Sequence, residues 1–229
     1  MATFGELKQQ VYLAVGSVDG KTTLMVEQAI NNAHRIIASV KDFDELMVLD
    51  TTNAATVADV KSYHIVDDFA LTRPKDIYSI RYMDEGNSRK LQYISFRRLD
   101  DSVPYTEIVG TGKPNFYTRR GMNIELYKIP DEAKSLYIQY SQWPVTLTLD
   151  ADESPFLNID DVIVGLSSDM TLALLDGVGG MSGWTSRANQ LLGLTIKEEA
   201  TRPDRTLVAQ PFTIIQKPTG EYWKDPFYK

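Results

Sequence analysis

The chain has 229 residues, 43% of them hydrophobic and 24% charged, a balance that can fill a sizeable core and excludes global disorder. A net charge of −7 argues against a general nucleic-acid binder, which needs a basic face. The absence of cysteine excludes disulfides, thiol nucleophiles and Cys-based metal sites, and only two histidines, His34 and His64, remain for general-base or metal chemistry.

No apolar run reaches membrane-spanning length, and "MATFGELKQQ" lacks a cationic-then-apolar leader, so a soluble protein made in the cytoplasm is expected. Phe4, Leu7, Val11 and Ala14 recur at helical spacing and predict a short amphipathic helix over 3–15. After the break at "GSVDGK", Val26, Ile30, Ala33, Ile37 and Val40 make one face of a longer helix over about 22–41, with Thr22 or Thr23 as its cap. "ELMVL" (45–49) reads as a buried strand, whereas the stretch to Val66 has no clean period.

Beyond Arg73-Pro74 the pattern becomes β. Tyr78, Ile80 and Tyr82 share a strand face, "DEGNS" (84–88) turns, and residues 91–94 begin the next strand. "NFYTRR" leads through Gly121 into "NIELYKIPDEAKSLYIQYSQWP" (123–144), which reads as a hairpin around a Pro-Asp turn. Met122, Ile124 and Leu126 face inward on its first leg, and Leu136, Ile138 and Tyr140 on its second. A one-residue slip would expose all of them, so the register is strongly specified.

The pattern then returns to helix. Asn158 is placed to cap a helix with Asp160 and Asp161 in its first turn and Ile163, Leu166, Met170 and Leu174 as its stripe. "DGVGG" stops it, and a last helix is expected over about 183–199. From Pro203 the chain reads as an extended arm: four prolines forbid a long helix, yet its aromatic residues require a partner surface. The sum is an α+β fold. A helical bundle from the N- and C-terminal helices (1–43 and 155–200) carries an inserted antiparallel β-meander or sandwich lobe (44–154), and residues 201–229 form a C-terminal arm.

Chemistry-bearing motifs are few. "GSVDGKTT" (16–23) resembles a phosphate-binding loop but has three residues, not four, between Gly16 and Gly20, and follows a helix where that loop needs a strand. It reads better as a helix–turn–helix loop turning at Gly20, with Lys21 solvated. "DADES" places Asp150, Asp152 and Ser154 at alternate positions as calcium loops do, without their glycine or distal glutamate. The pairs Asp67-Asp68 and Asp100-Asp101 suit exposed turns better than catalysis, and no G-x-S-x-G elbow occurs. Arg97-Arg98 and Arg119-Arg120 suit ion pairing to a neighbouring subunit. Neither an enzyme nor a cofactor is expected.

The order of parts resembles the head-to-tail adaptor, or connector, proteins of tailed bacteriophages. The resemblance is carried by "GKPNFYTRRGMNIELYKIPDEAKSLYIQYSQWPVTLTLDADESPFL" and the following "DDVIVGLSSDMTLALLDG", with the N-terminal helix pair in agreement. It implies a ring, usually twelvefold, docked beneath the portal protein and extending the channel for double-stranded DNA towards a downstream tail protein, in the neck of the virion. On that reading Phe212, Ile214, Ile215, Tyr222, Trp223, Phe227 and Tyr228 bind the portal or a neighbouring subunit. The tip residues Lys128, Pro130, Asp131, Glu132 and Lys134, with the loop around "GTGK" (110–113) and Arg119 and Arg120, contact the tail-side component or the adjacent subunit. Rival readings are another tail or baseplate component, and a carbohydrate-binding module using exposed tyrosines with Trp143 or Trp184.

Overall fold

The computed structural model describes residues 1–16, 19–102, 110–176, 190 and 192–193. The expected 183–199 helix falls almost wholly outside them, and the arm entirely. Among the described residues, four α-helices with defined bounds and two four-stranded sheets make the fold α+β, as the sequence pattern requires. Two compact units are present. One comprises Met1–Glu6 and Asn31–Leu157, and the other Leu7–Ile30 and Asn158–Lys229.

Helix α1 spans Phe4–Val15 and α2 Gly20–Val40. Gly16 ends α1 in the left-handed conformation, φ 73°, its N–H reaching Tyr12 O at 2.8 Å, a geometry that costs a side-chain-bearing residue about 1 kcal/mol or more. The turning glycine is therefore Gly16, not Gly20, which already lies in α2. The cap differs too: Asp19 Oδ1 accepts the Thr22 N–H at 2.6 Å, a carboxylate suiting the helix dipole better than a threonine hydroxyl, and Thr22 is buried. Phe4, Leu7, Val11, Val26, Ile30, Ala33 and Ile37 are buried as the period demands, whereas Val40, in the last turn, is exposed. Helix α4 (Asp160–Asp176) begins after Ile159, with Asn158 one residue too early, at φ 58°. Its residues 162–168 are buried on every side, while Leu174 of the predicted stripe is exposed. Ser167 and Thr171 satisfy their buried hydroxyls on the carbonyls of Ile163 and Ser167, at 2.6 and 2.8 Å.

The β-strands are β1 (Met47–Asp50), preceded by one 3-10 turn over Asp44–Leu46, then β2 (Ser62–His64), β3 (Pro74–Asp84), β4 (Asn87–Lys90), β5 (Gln92–Tyr93), β6 (Phe116–Arg120), β7 (Asn123–Tyr127) and β8 (Leu136–Gln142); a short helix α3 spans Phe96–Ser102. The first sheet has the order β1-β8-β3-β4 and the second β2-β7-β6-β5, antiparallel except for β5 on β6. One buried cluster joins them: Ile65, Phe69, Leu71, Ile80, Tyr82, Leu91, Ile124, Leu126, Leu136, Ile138 and Tyr140 belong to it.

This corrects the expected hairpin. Its legs β7 and β8 have the predicted inward residues but lie in different sheets, so they face each other through side chains and share no hydrogen-bond ladder. Met122 precedes the strand and is exposed. A second difference lies in β3. Its register against β8 shifts between Ile77 and Ser79, a bulge that gives Ile77 to the core and leaves Tyr78 exposed beside the buried Ile80 and Tyr82. The 91–94 strand is also divided. Leu91 N still donates to Ile80 O at 2.8 Å, then Gln92 N donates to Asn115 O at 2.9 Å, so the chain changes sheet at the buried Leu91 and Tyr93 is exposed.

Candidate assembly surface

The connection from β7 to β8 is held down by residues from two other segments. Thr56 gives its hydroxyl to Glu132 O and receives the Lys134 N–H, both at 2.9 Å, while its own N–H reaches Lys134 O at 2.8 Å. Asp59 N donates to Pro130 O at 2.9 Å, and Gly112 N to Ile129 O at 2.8 Å. The 54–59 stretch that gave no pattern in sequence is thus a clamp on the tip, satisfying its backbone.

Charges complete this end. Asp84 receives Lys113, and Lys134 at 3.5 Å, while Lys134 also reaches Glu132 at 3.3 Å. The hydrogen bond from Lys113 holds the Asp84 carboxyl below its ordinary range, and the bond to Asp84 raises Lys113. Lys134 is raised chiefly by Glu132. Beneath them the buried Tyr82 hydroxyl has no hydrogen-bond partner among the described residues, and burial, then the nearby Glu132, Asp131 and Asp84, raises its pKa. The tip therefore has a backbone tied to two other segments and an ion-pair group of Asp84, Lys113, Lys134 and Glu132, with Lys128, Asp131 and Glu132 exposed on it and Pro130 buried.

Of the predicted contact residues, Lys128, Pro130, Asp131, Glu132 and Lys134 come together with the 110–113 loop. Arg119 and Arg120 do not: they pair with Ile124 and Asn123, at the end of β6 away from Tyr127. Arg119 is spent internally, on Gly121 O at 3.0 Å, Lys75 O at 2.9 Å and Asp76 at 3.4 Å. Arg120 lies over the Phe96 ring, 5.0 Å from its centre. The arm residues Phe212, Ile214, Ile215, Tyr222, Trp223, Phe227 and Tyr228, and Trp184, lie outside the described residues.

The motifs that suggested other chemistry have structural partners. In "DADES", Asp152 accepts the N–H groups of Thr148 and Leu149, both at 2.8 Å, and these bonds lower its pKa. The backbone of the same loop receives the chain's start, through Phe4 N to Asp152 O at 2.7 Å and Gly5 N to Asp150 O at 3.0 Å. His34 is buried, 3.1 Å from Ser154 Oγ and stacked on Phe156. His64 Nδ1 lies 2.8 Å from Asp67, and Asp68 accepts the His64 N–H, so this doublet closes a turn. Among the described residues no three His, Cys, Asp or Glu side chains are grouped to hold a metal ion, and no helix is long and apolar enough to cross a membrane. Trp143 is half-exposed with Lys75 5.6 Å over its ring, which occupies one of its faces.

The histidines and carboxylates that the sequence offered as chemistry thus fix loops and turns, and one buried cluster lies between the two sheets. A protein-family model described as SU10 adaptor protein matches residues 2–207. The chain belongs to that family, a phage head-to-tail adaptor family, and so is a component of the virion that associates with other head or tail proteins. Comparison with individually curated proteins finds no match.

Proposed function

We propose that the chain is a head-to-tail adaptor forming a ring, twelvefold by the habit of such proteins, between portal and tail and continuing the DNA channel. The observation that carries this is the family match along residues 2–207. In this reading the helices of 1–43 and 155–200 build the ring body and the 44–154 lobe projects from it. The protein assembles in the host cytoplasm and ends in the neck. Its role is mechanical joining, without catalysis. The excess of carboxylates repels phosphates, so DNA passes the channel without adhering broadly.

The arm over 201–229 grips the portal or the neighbouring subunit. Four prolines beside Phe212, Ile214, Ile215, Tyr222, Trp223, Phe227 and Tyr228 favour an extended segment that buries its side chains on a second surface. Removing residues 203–229 is expected to abolish head–tail joining in an assembly assay while the circular dichroism and melting of the remaining chain stay unchanged. Joining at the normal level would refute this role.

The tip and the 110–113 loop are assigned to the tail-side component or the adjacent subunit. Asp131→Lys, at an exposed site outside the Asp84 ion-pair network, should reduce tail attachment and leave the melting temperature where it was. Attachment equal to that of the unaltered protein would show that the tip is not a contact.

A further inference from the structure

Four strands form the outer edges of the two sheets, and three of them are poor templates for a further strand. Every residue of β4 is exposed, and Arg89 and Lys90 stand on it, where positive charge discourages pairing. The outward N–H of the β2 residue His64 is taken by the Asp68 carboxylate. Strand β5 pairs over two residues only, Gln92 and Tyr93. Strand β1 has none of these guards. Met47, Val48 and Leu49 carry neither charge nor proline, and the Asp50 carboxylate is held by the N–H groups of Asn53 and Ala54. Met47 N–H turns back to Asp44 O, so the antiparallel alternation gives Val48 and Asp50 to β8 and leaves Leu49 N–H and C=O on the open side. No hydrogen bond among the described residues reaches either group.

This edge is apolar on both faces. Leu49 is 61% exposed on the face away from the core, and the half-buried Val48 packs on the core cluster from the other. A strand that fits it must be apolar at two consecutive positions, whereas a strand covering one core face alternates. The terminal arm holds such a run. Phe212, Thr213, Ile214, Ile215, Gln216 and Lys217 lie between Pro211 and Pro218, and aromatic and β-branched residues favour an extended pleated chain. Proline gives no N–H to a ladder, so the two prolines confine pairing to these six residues, enough to cover the four of β1. The adjacent Ile214 and Ile215 would put one apolar side chain on each face of an added strand.

We propose that residues 212–217 of one subunit add to β1 of the next as a fifth strand of its first sheet. The proposal rests on the adaptor reading and its ring. Backbone bonds to Leu49 supply attachment, and the two isoleucines beside Leu49 and Val48 supply selectivity. Each copy donates one run and offers one edge, so a closed head-to-tail ring leaves no donor and no acceptor over.

The chain contains no cysteine, so single introduced thiols report the pairing directly. Native mass spectrometry of the full chain, alone and with portal protein, first establishes the ring. Leu49→Cys copies are then mixed with copies carrying Phe212→Cys, Thr213→Cys, Ile214→Cys, Ile215→Cys, Gln216→Cys or Lys217→Cys, assembled and oxidised. Disulfides between unlike copies are expected at alternate positions of the run and not between them, because side chains on the Leu49 face recur every second residue. Leu49→Lys, which guards this edge as β4 is guarded, should weaken ring assembly by about tenfold at an unchanged melting temperature. A ring without these disulfides, disulfides that do not alternate, or unimpaired assembly of Leu49→Lys overturns strand addition and leaves the adaptor reading standing. Absence of a ring under both conditions overturns the two together.

Discussion

Replacing Lys75 with methionine is expected to destabilise the protein by about 1.5–3 kcal/mol, the range for hydrogen bonds made by a charged group. Helix α2 has no basic residue in its last turn. The Lys75 ammonium, carried on β3, supplies one from a distance. It reaches Ala38 O at 2.5 Å, Lys41 O at 3.4 Å and Asp42 Oδ1 at 2.7 Å, and only 13% of its side chain is exposed. It thus satisfies carbonyls that a helix end leaves open and places positive charge at the negative end of the dipole. Methionine keeps the stem and removes all three interactions. Urea unfolding measures the difference, and a change below about 0.5 kcal/mol, the scale of an ordinary surface substitution, would mean the cap is not formed in solution.

The same cluster makes part of that difference acid-dependent. Burial acts to raise the Asp42 pKa but is outweighed by hydrogen bonds from Lys75 and Tyr78 and by the Lys75 charge, so the group lies below its ordinary value. A carboxyl depressed on folding stabilises the native state above its unfolded pKa, about 3.9, and loses that contribution as pH falls through the lower folded value. The gap between unaltered protein and Lys75→Met should therefore be constant near neutrality and narrow below about pH 4. It should not close, because the bonds to Ala38 and Lys41 carbonyls involve no titrating acceptor. A gap that widened in acid would refute this account.

Ile138→Ala should be the most damaging of the small core truncations, at about 3–5 kcal/mol. Ile138 is fully buried at the middle of β8, flanked by Asp50 on β1 and Ile80 on β3. Strands fixed on both sides cannot collapse into the space left by three lost carbons, so a cavity remains in the cluster shared by both sheets. At about 2–4 °C per kcal/mol for a chain of this size, the melting temperature should drop by about 10 °C, as read by calorimetry. A drop below about 2 °C would mean the core there is loosely packed.

The extent to which the sequence foretold this structure varied by kind of information. Alternation correctly turned Ile124, Leu126, Leu136, Ile138 and Tyr140 inward, because a period of two reports which face a side chain occupies. It does not report which strand lies alongside, so β7 and β8 read as hairpin partners when they belong to opposite sheets. The bulge at Ile77–Ser79 was illegible for a related reason: it depends on β8, some sixty residues away in the chain, and nothing local separates Ile77 from Tyr78 as the core residue. Helix ends were partly legible. Asp19 stands three residues before Thr22, a cap signal open to reading, but the adjacent threonines are cap formers too, and burial of Thr22 decides between them. At the tip, the residues between β7 and β8 could be proposed from their turn chemistry, whereas the Thr56 clamp and the Asp84–Lys113–Lys134 group join segments distant in sequence. Arg119 and Arg120 looked equally available in the chain, and only the fold shows Arg119 already spent on Lys75, Asp76 and Gly121.

The position of β8 also sets a schedule for folding. In its sheet β8 lies between β1 and β3, which do not pair with each other. On a growing chain those two strands are made early and must wait, their inner hydrogen-bonding edges unmet, until residues 136–142 emerge to join them. The final closure links segments some ninety residues apart, and such non-local pairing places folding in the millisecond-to-second regime of β-rich domains, well above the microseconds of a local hairpin. The first sheet is therefore completed late, when its last strand enters between β1 and β3.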